Sequence, residues 1–398
     1  MLNARYEPVA DFEMKRRQQA VLKVMEEKGV DALVLCNFSD MVAGPLKYFV
    51  DKTNAYTMSA ILSKDGIVIY LSAFDNPPDQ DPVFRPMGEA LPVALCTAPY
   101  LPGITFNNHR YAAAMTYYIK KCGFKRIGWG GFSYVPAHMY KYLLENNPGV
   151  EFVDFTEEVN AIRLVKSEWE IGRMLKCVDI HDRLAMACYH FIRPNLTPHM
   201  LNLELMDAAA KMGSVEFNTG LIRHWRTIDG KDVDLGLDTQ MKRGDYIWVL
   251  MEVTGTDGEW GEVARLYRLG EEPEQRFVDI CNNLLNVQHT VAKACVPGAV
   301  AEDIFVLNNK MLADYGYPIE ERLCIHGQTY DIVDLPLFVE GDKTVLQENM
   351  FFTIHPAYQS GPRCFDAPYI NFTDNFLVKE GGAVRLNKTE QKIFVVDC

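Results

Sequence analysis

The chain has 398 residues, of which 48% are hydrophobic and 23% charged, and its formal net charge is −13. This length predicts two domains, and the composition is that of a globular protein rather than a disordered, collagen-like or coiled-coil chain. The excess of acids argues against nucleic acid or an anionic membrane as a partner, because both are bound by basic surfaces.

The cysteines and the N-terminus indicate the compartment. The ten cysteines are scattered, and no two form a Cys-x-x-Cys pair. This pattern favours free, buried thiols in a reducing compartment over a zinc knuckle or a redox pair. The N-terminal segment lacks the apolar run of a secretory signal, and no segment approaches the roughly 18 apolar residues that span a bilayer. We therefore predict a cytoplasmic protein.

The first 155 residues are predicted to alternate helices and strands. A helix over 12–28 ends at Gly29, and a strand over 32–36 follows it. Strands over 60–63 and 66–71 flank a turn and predict a hairpin. A helix over 111–122 and a strand over 126–129 come next. Residues 1–155 are thus predicted to form a small α/β domain.

The remainder of the chain combines long helices with long apolar strands. Ser167 and Glu170 form a capping box that begins a helix ending near residue 191, and Thr197-Pro198 begins another that Gly213 ends. Further helices are predicted over 275–294 and 301–315, with strands over 246–253, 263–269, 351–354 and 369–378. This order predicts an α+β catalytic domain over residues 156–398.

Polar residues lie at the ends of several of these apolar strands. Glu252 ends the first strand, and Glu262 follows ten residues later, where it is predicted to face Glu252 across neighbouring strands. His326 precedes a glycine, and His355 closes another strand. A buried carboxylate needs a partner, a metal or a proton. Two carboxylates and two imidazoles therefore serve as general acid and base, or as metal ligands.

Several motifs of this half occur in an order typical of one enzyme family. They are residues 163–171 (RLVKSEWEI), 242–245 (KRGD), 326–327 (HG), 348–356 (ENMFFTIHP) and 374–382 (DNFLVKEGG). On these motifs the chain resembles the pita-bread-fold family of creatinase, prolidase, aminopeptidase P and methionine aminopeptidase. The resemblance implies a pita-bread catalytic domain over 156–398, preceded by a smaller creatinase/prolidase-type domain over 1–155.

The departures from the family's metal-binding pattern are as informative as the matches. Metallopeptidases of this family hold two metals with Asp, Asp, His, Glu and Glu. The resemblance aligns these positions with Leu250, Glu262, His326, His355 and Thr373. A second family histidine, seven residues after His326, is replaced by Val333. Because carboxylates normally neutralise a pair of dications, this set argues against a dinuclear centre and against Xaa-Pro peptidase activity.

Two branches of the family imply other chemistry. Creatinase hydrolyses a C–N bond of a small guanidino acid with His and Glu, without a metal. The family's dimethylsulfoniopropionate lyase carries an acid where Glu252 stands, although it keeps its metal ligands. We therefore expect a creatinase-like hydrolase or lyase that cleaves a C–N or C–S bond of a small charged substrate. His326, Glu262, His355 and Glu252 are the predicted catalytic residues, with His326 as the proton carrier and Glu262 as its partner.

A second group of residues is predicted to bind the substrate. Arg223, His224 and Arg226 fall where relatives have a pocket-lining loop, so they are candidates to clamp a substrate carboxylate or to replace a proton shuttle. Asp374 is a further candidate, and a solvated basic loop over 223–226 is the open alternative. A single divalent ion (zinc, iron or manganese) held by Glu262, His326 and His355, with Glu252 or Asp374 as an added ligand, is an open variant of the site.

Two other functions stay open. One is a catalytically inactive pita-bread binding protein, and the other is a residual Xaa-Pro metallopeptidase. The resemblance also implies a homodimer in which residues 38–80 of one subunit contact the substrate of its partner.

Overall fold

The structure, a computed structural model, describes residues 6–37, 44–51, 58–73, 79–99, 108–360 and 368–397. The chain divides into two compact units. One is Pro8–Leu164, and the other consists of Val165–Cys398 together with Met1–Glu7. The sequence placed this boundary after residue 155. The structure places it after Leu164, because the helix that follows residue 155 packs within the N-terminal unit. There, Glu158 pairs with Lys28, with 3.2 Å between Oε1 and Nζ.

The N-terminal unit is a layered α/β arrangement. Its helices are α1 (Asp11–Lys28), α2 (Gly44–Val50), α3 (Asn108–Cys122), α4 (Ala137–Asn146) and α5 (Thr156–Leu164). Its strands are β1 (Ala32–Cys36), β2 (Met58–Ser63), β3 (Gly66–Ala73), β4 (Arg85–Met87), β5 (Ala90–Pro99), β6 (Arg126–Trp129) and β7 (Glu151–Asp154). These strands form one sheet in the order β4-β5-β3-β2-β1-β6-β7, in which β2 and β3 are the predicted hairpin.

The C-terminal unit contains four long helices among its described residues and two larger sheets. The helices are α6 (Glu168–Phe191), α7 (Pro198–Met212), α8 (Gln275–Ala294) and α9 (Ala301–Asp314). The first sheet has the order β19-β11-β10-β8-β9, built from β8 (Phe217–Ile228), β9 (Lys231–Asp234), β10 (Tyr246–Thr254), β11 (Trp260–Leu269) and β19 (Ile393–Val396). The second has the order β13-β12-β14-β17-β18, built from β12 (Ile325–Gly327), β13 (Asp334–Leu337), β14 (Phe351–Ile354), β17 (Asp374–Lys379) and β18 (Gly382–Arg385). A two-stranded sheet joins β15 (Ala357–Gln359) to β16 (Tyr369–Asn371).

The predicted helix signals act as expected. Ser167 accepts a hydrogen bond from the amide of Glu170 at 3.2 Å, and Glu170 accepts one from the amide of Ser167 at 2.8 Å. The Thr197 hydroxyl accepts from the amide of Met200 at 3.2 Å, and Gly213 ends α7 in the left-handed conformation with φ of 106°. These contacts satisfy amides and carbonyls that a helix end leaves unpaired.

The two larger sheets are positioned by helices and by a direct contact. Leu184 of α6 and Leu205 of α7 belong to one buried cluster with Val249 and Met251 of β10. The amide of Ala264 on β11 donates to the carbonyl of Thr373, just before β17, at 3.2 Å. Strand β17 of the second sheet therefore starts beside strand β11, which carries Glu262.

Two predictions about strands are wrong. Residues 223–226 lie on strand β8 and not on a loop. The predicted strand over 369–378 is two strands, since β16 pairs with β15 whereas β17 pairs with β14. Residues 369–378 are all buried, so no exposed residue marks the boundary between the two strands.

The prediction of free, buried thiols is confirmed for six of the eight cysteines that the structure describes. The eight cysteines described are free, and six of them are buried. Cys364 and Cys398 lie outside the described residues. So do residues 38–43, 52–57 and 74–78 of the segment 38–80 that was predicted to contact a partner's substrate. Within the described part of the chain, no helix has the length and apolarity needed to cross a bilayer.

Candidate metal centre

Glu252 and Glu262 face each other across β10 and β11, as the sequence predicted. The antiparallel register pairs Glu252 with Glu262 directly, next to the pair Met251 and Val263. Both acids are buried, with 8% and 2% of their surfaces exposed. Cross-strand partners of this kind lie within contact distance, so two carboxylates share one small volume.

His326 lies on β12 because Gly327 permits a very close strand contact. A Cβ atom at position 327 would stand 1.9 Å from the carbonyl oxygen of Leu335, at the start of β13. The β12–β13 pairing shifts register between His326 and Gly327. The His-Gly pair of the sequence is therefore a packing requirement that fixes where the imidazole stands.

The hydrogen bonds of His326 determine which ring nitrogen is available. Nδ1 lies 3.0 Å from the carbonyl oxygen of Gly327, which only accepts, so Nδ1 carries the proton. Nε2 then holds a lone pair, and it faces Oε1 of Glu262 at 3.8 Å. That separation is too long for a hydrogen bond. Two electron-pair donors thus face one another across a gap.

His355 completes a set of three ligands. It follows β14, which pairs with β12, and its ring centroid lies 5.2 Å from that of His326. Ligand atoms of Glu262, His326 and His355 all lie within 4.8 Å of one another. Two atoms each bound ~2.1 Å from a tetrahedral zinc ion stand roughly 3.4 Å apart, so the three residues fit one ion after a small adjustment. Two histidines and one glutamate are a donor set of catalytic zinc and also suit iron.

Burial governs protonation at these side chains. It lowers the pKa of His326, and together with the nearby His326 it lowers the pKa of His355 to about 3. Both imidazoles are therefore neutral at pH 7, the form that binds metal. Burial raises the pKa of Glu262 to about 7 against the opposing effect of Thr353, Glu252 and Gln328. A cation beside Glu262 would favour its ionised form.

Sequence reasoning missed three polar residues around Glu262. Gln328 donates from Nε2 to Oε2 of Glu262 at 3.4 Å, and Thr353 lies opposite His326 in the β12–β14 register. Asn375 accepts from the amide of Glu262 at 3.2 Å and donates to its carbonyl at 2.8 Å. The position of Gln328 directly after His326-Gly327 was the one local signal. Asn375 lies 113 residues from Glu262 in sequence, so only the fold brings it there.

The predicted substrate group around His224 lies in the interior of the sheet. Nε2 of His224 lies 2.7 Å from Oδ2 of Asp245, and Nε of Arg226 donates to Oδ1 of the same carboxylate at 2.5 Å. His224 and Asp245 are 1% and 0% exposed, so a solvated loop is excluded for them. Burial alone would raise the pKa of Asp245, but hydrogen bonds from His224, Arg226 and the amide of Lys242 hold it below its usual range. Arg223 donates to the carbonyl of Ile222 at 3.1 Å.

Asp374 is likewise committed to neighbours within the protein. Its Oδ1 accepts from Arg265 at 2.7 Å and from Arg385 at 2.9 Å, and its Oδ2 accepts from Gln391 at 2.8 Å. Arg265 and Asp374 are both fully buried. This pairing explains why the acid is there without a ligand, so we leave Asp374 and His224 out of the centre.

Comparison with known proteins identifies the family. The sequence pattern of metallopeptidase family M24 matches residues 172–388, more than half of the chain. The chain belongs to metallopeptidase family M24. The predicted family and pita-bread fold are therefore confirmed. Members of this family are enzymes, mostly peptidases and other hydrolases that use divalent metals, which supports the predicted hydrolase but neither a lyase nor a creatinase-like specificity.

Two curated relatives of this M24 protein illustrate the similarity. It is 24% identical over 248 residues to the Xaa-Pro dipeptidase of Pyrococcus horikoshii, covering 61% of this chain and 68% of that one. It is 26% identical over 257 residues to the probable dipeptidase PepE of Mycobacterium bovis, covering 62% and 65%.

Solved structures agree on the fold. The X-Pro aminopeptidase of Thermotoga maritima superposes with a TM-score of 0.77 at 17% identity, covering 95% of this chain and 99% of that one. The prolidase of Pyrococcus horikoshii gives a TM-score of 0.72 at 18% identity, covering 96% and 100%. The two-domain α+β architecture is therefore that of the M24 prolidases and aminopeptidases.

Proposed function

We propose that this M24 protein is a one-metal hydrolase that cleaves an amide C–N bond of a small substrate, with Xaa-Pro dipeptides as the first class to test. The observation that carries this proposal is the gap between the lone pair of His326 Nε2 and Oε1 of Glu262, with His355 within ligand distance. The dipeptidase names of the curated relatives support amide hydrolysis over C–S cleavage.

The residues have separate tasks in this proposal. Glu262, His326 and His355 would hold the ion, which when bound supplies Lewis-acid activation of water and of the carbonyl. Glu252 faces Glu262 from the neighbouring strand, and its role in this proposal is to take a proton from the nucleophile and pass it to the leaving amine. The predicted role of His326 as proton carrier thus moves to Glu252, because Nδ1 of His326 is engaged by Gly327.

The creatinase-like non-peptidase is a second candidate, and two departures from the family's pattern favour it. Val333, which replaces the histidine that steadies peptide substrates in relatives, has 46% of its surface exposed and offers no hydrogen bond. Thr373, at a glutamate position of the family, donates its hydroxyl to Asn371 at 3.3 Å. Both departures weaken a peptide site without removing the His-His-Glu set.

An activity assay with and without metal separates these functions. The protein is stripped with a chelator, reloaded with Zn²⁺, Mn²⁺ or Fe²⁺, and offered Xaa-Pro dipeptides, guanidino acids, betaines and sulfonio acids. We expect metal-dependent release of proline that His355→Ala abolishes. Turnover of a guanidino acid alone, untouched by the chelator, would favour the creatinase-like enzyme. Metal binding without turnover of any candidate would leave the binding protein.

A further inference from the structure

Gln328 holds one oxygen of the Glu262 carboxylate. Its side chain is fully buried, and Nε2 lies 3.4 Å from Oε2 of Glu262 and 3.2 Å from the carbonyl oxygen of Ile332. The carbonyl of Ile332 and the ionised carboxylate of Glu262 can only accept hydrogen bonds. The amide nitrogen of Gln328, not its oxygen, must therefore face them. These contacts explain why a side chain with a hydrogen-bond donor stands at position 328.

The two oxygens of Glu262 therefore have different surroundings. Oε2 accepts from Gln328, whereas Oε1 faces Nε2 of His326 at 3.8 Å. A carboxylate that bridges two metal ions gives one oxygen to each ion. Each carboxylate oxygen has two lone pairs, but an ion at Oε2 would have to compete with the amide of Gln328, so Oε1 is the oxygen that faces an ion beside His326.

The backbone of Glu262 is fixed from the other side. Asn375 on β17 clamps both its amide and its carbonyl, at 3.2 and 2.8 Å. Asn375 lies opposite Thr353, and Thr353 lies opposite His326. The backbone of Glu262 is therefore fixed to the sheet that carries the histidines. Its side chain can still rotate, and the hydrogen bond from Gln328 restricts that rotation.

We propose that Gln328 is a positioning residue that restricts Glu262 to a single ligand oxygen and so limits the centre to one ion. This inference rests on the proposed metal centre and adds the reason why it takes one ion. Residues that orient a metal ligand typically change metal affinity 10- to 100-fold when they are replaced.

The test compares Co²⁺ binding by the full-length wild type and two variants, by calorimetry and by visible absorption. Gln328→Met keeps the length of the side chain and removes the donor. We expect its Kd for Co²⁺ to rise 10- to 100-fold, with altered cobalt bands. Gln328→Glu releases Oε2 and adds a carboxylate, and we expect its stoichiometry to rise from one ion to two.

Gln18→Met is the matched control. Gln18 is also a buried glutamine whose Nε2 donates to a carbonyl, that of Phe49 at 3.1 Å, but it belongs to the N-terminal unit. Its Co²⁺ affinity and spectrum should equal those of the wild type. Wild-type affinity, spectrum and stoichiometry in both Gln328 variants would overturn the role of Gln328 while leaving the proposed function intact. Failure of the wild type itself to bind Co²⁺ would overturn both.

Discussion

At the scale of single residues, the same side-chain types serve opposite purposes in this protein. Asp374 and Asp245 are buried acids whose oxygens are taken by cations or donors of the protein. Glu262 is a buried acid that faces a lone pair of His326 instead. Sequence reasoning named Asp374 and Glu262 together because it sees only residue type and strand position. Arg265, which pairs with Asp374, lies 109 residues from it, and Gln328, which binds Glu262, lies 66 residues away. Such distant partners decide between structure and function.

Replacing Asp374 tests its structural role. Asp374→Asn leaves the buried guanidinium of Arg265 uncompensated, so we expect a loss of roughly 3–5 kcal/mol in the free energy of unfolding, measured with urea. Asp179→Asn, which breaks an exposed pair with Arg183, should cost at most about 1 kcal/mol. A small loss in Asp374→Asn accompanied by a raised KM would restore Asp374 as a substrate-binding residue.

His181 predicts a pH dependence of stability. It is fully buried on α6, with Nδ1 2.8 Å from the carbonyl of Cys177, and burial lowers its pKa from 6.5 to about 4. Between these values the unfolded chain binds the proton and the folded chain does not, so stability falls as the pH drops. The contribution lost between pH 7 and pH 4 is about 3 kcal/mol. In urea unfolding, the difference between wild type and His181→Asn should shift by this amount, and a pH-independent difference would contradict it.

At the scale of elements, the sequence predicted the pairing of β10 with β11 but not strand β8. The two apolar runs of β10 and β11 are joined by a glycine-containing turn, so their pairing and the facing of Glu252 and Glu262 followed from the sequence. Strand β8 did not, because Arg223, His224 and Arg226 are typical of an exposed loop. Asp245 is the buried partner of His224 and Arg226 on this strand, whereas Arg223 donates to the carbonyl of Ile222.

Gly327 offers a test of how β12 positions its histidine. Gly327→Ala would drive a methyl group into the carbonyl of Leu335, so β12 and β13 must separate. We expect a loss of roughly 1–3 kcal/mol in stability and weaker Co²⁺ binding through His326. Gly172→Ala on α6, where a Cβ meets nothing within 4 Å, should instead gain about 0.5–1 kcal/mol. Unchanged Co²⁺ binding in Gly327→Ala would show that this packing does not set the imidazole.

At the scale of the whole molecule, the architecture was the most predictable feature. The order of motifs implied a pita-bread domain that follows a smaller α/β domain in the sequence, and the comparisons confirm that fold. The boundary moved to Leu164 because α5 packs in the N-terminal unit. The homodimer stays a prediction, and sedimentation equilibrium should give twice the mass of one chain.

In the proposed centre, two sheets bring Glu262, His326 and His355 together around one divalent ion. The most direct measurement is elemental analysis of the desalted protein after saturation with Zn²⁺, beside the His355→Ala variant treated identically. We expect one zinc per chain in the wild type and a marked loss in the variant. No zinc or two zinc ions per chain in the wild type, or equal retention by His355→Ala, would contradict it.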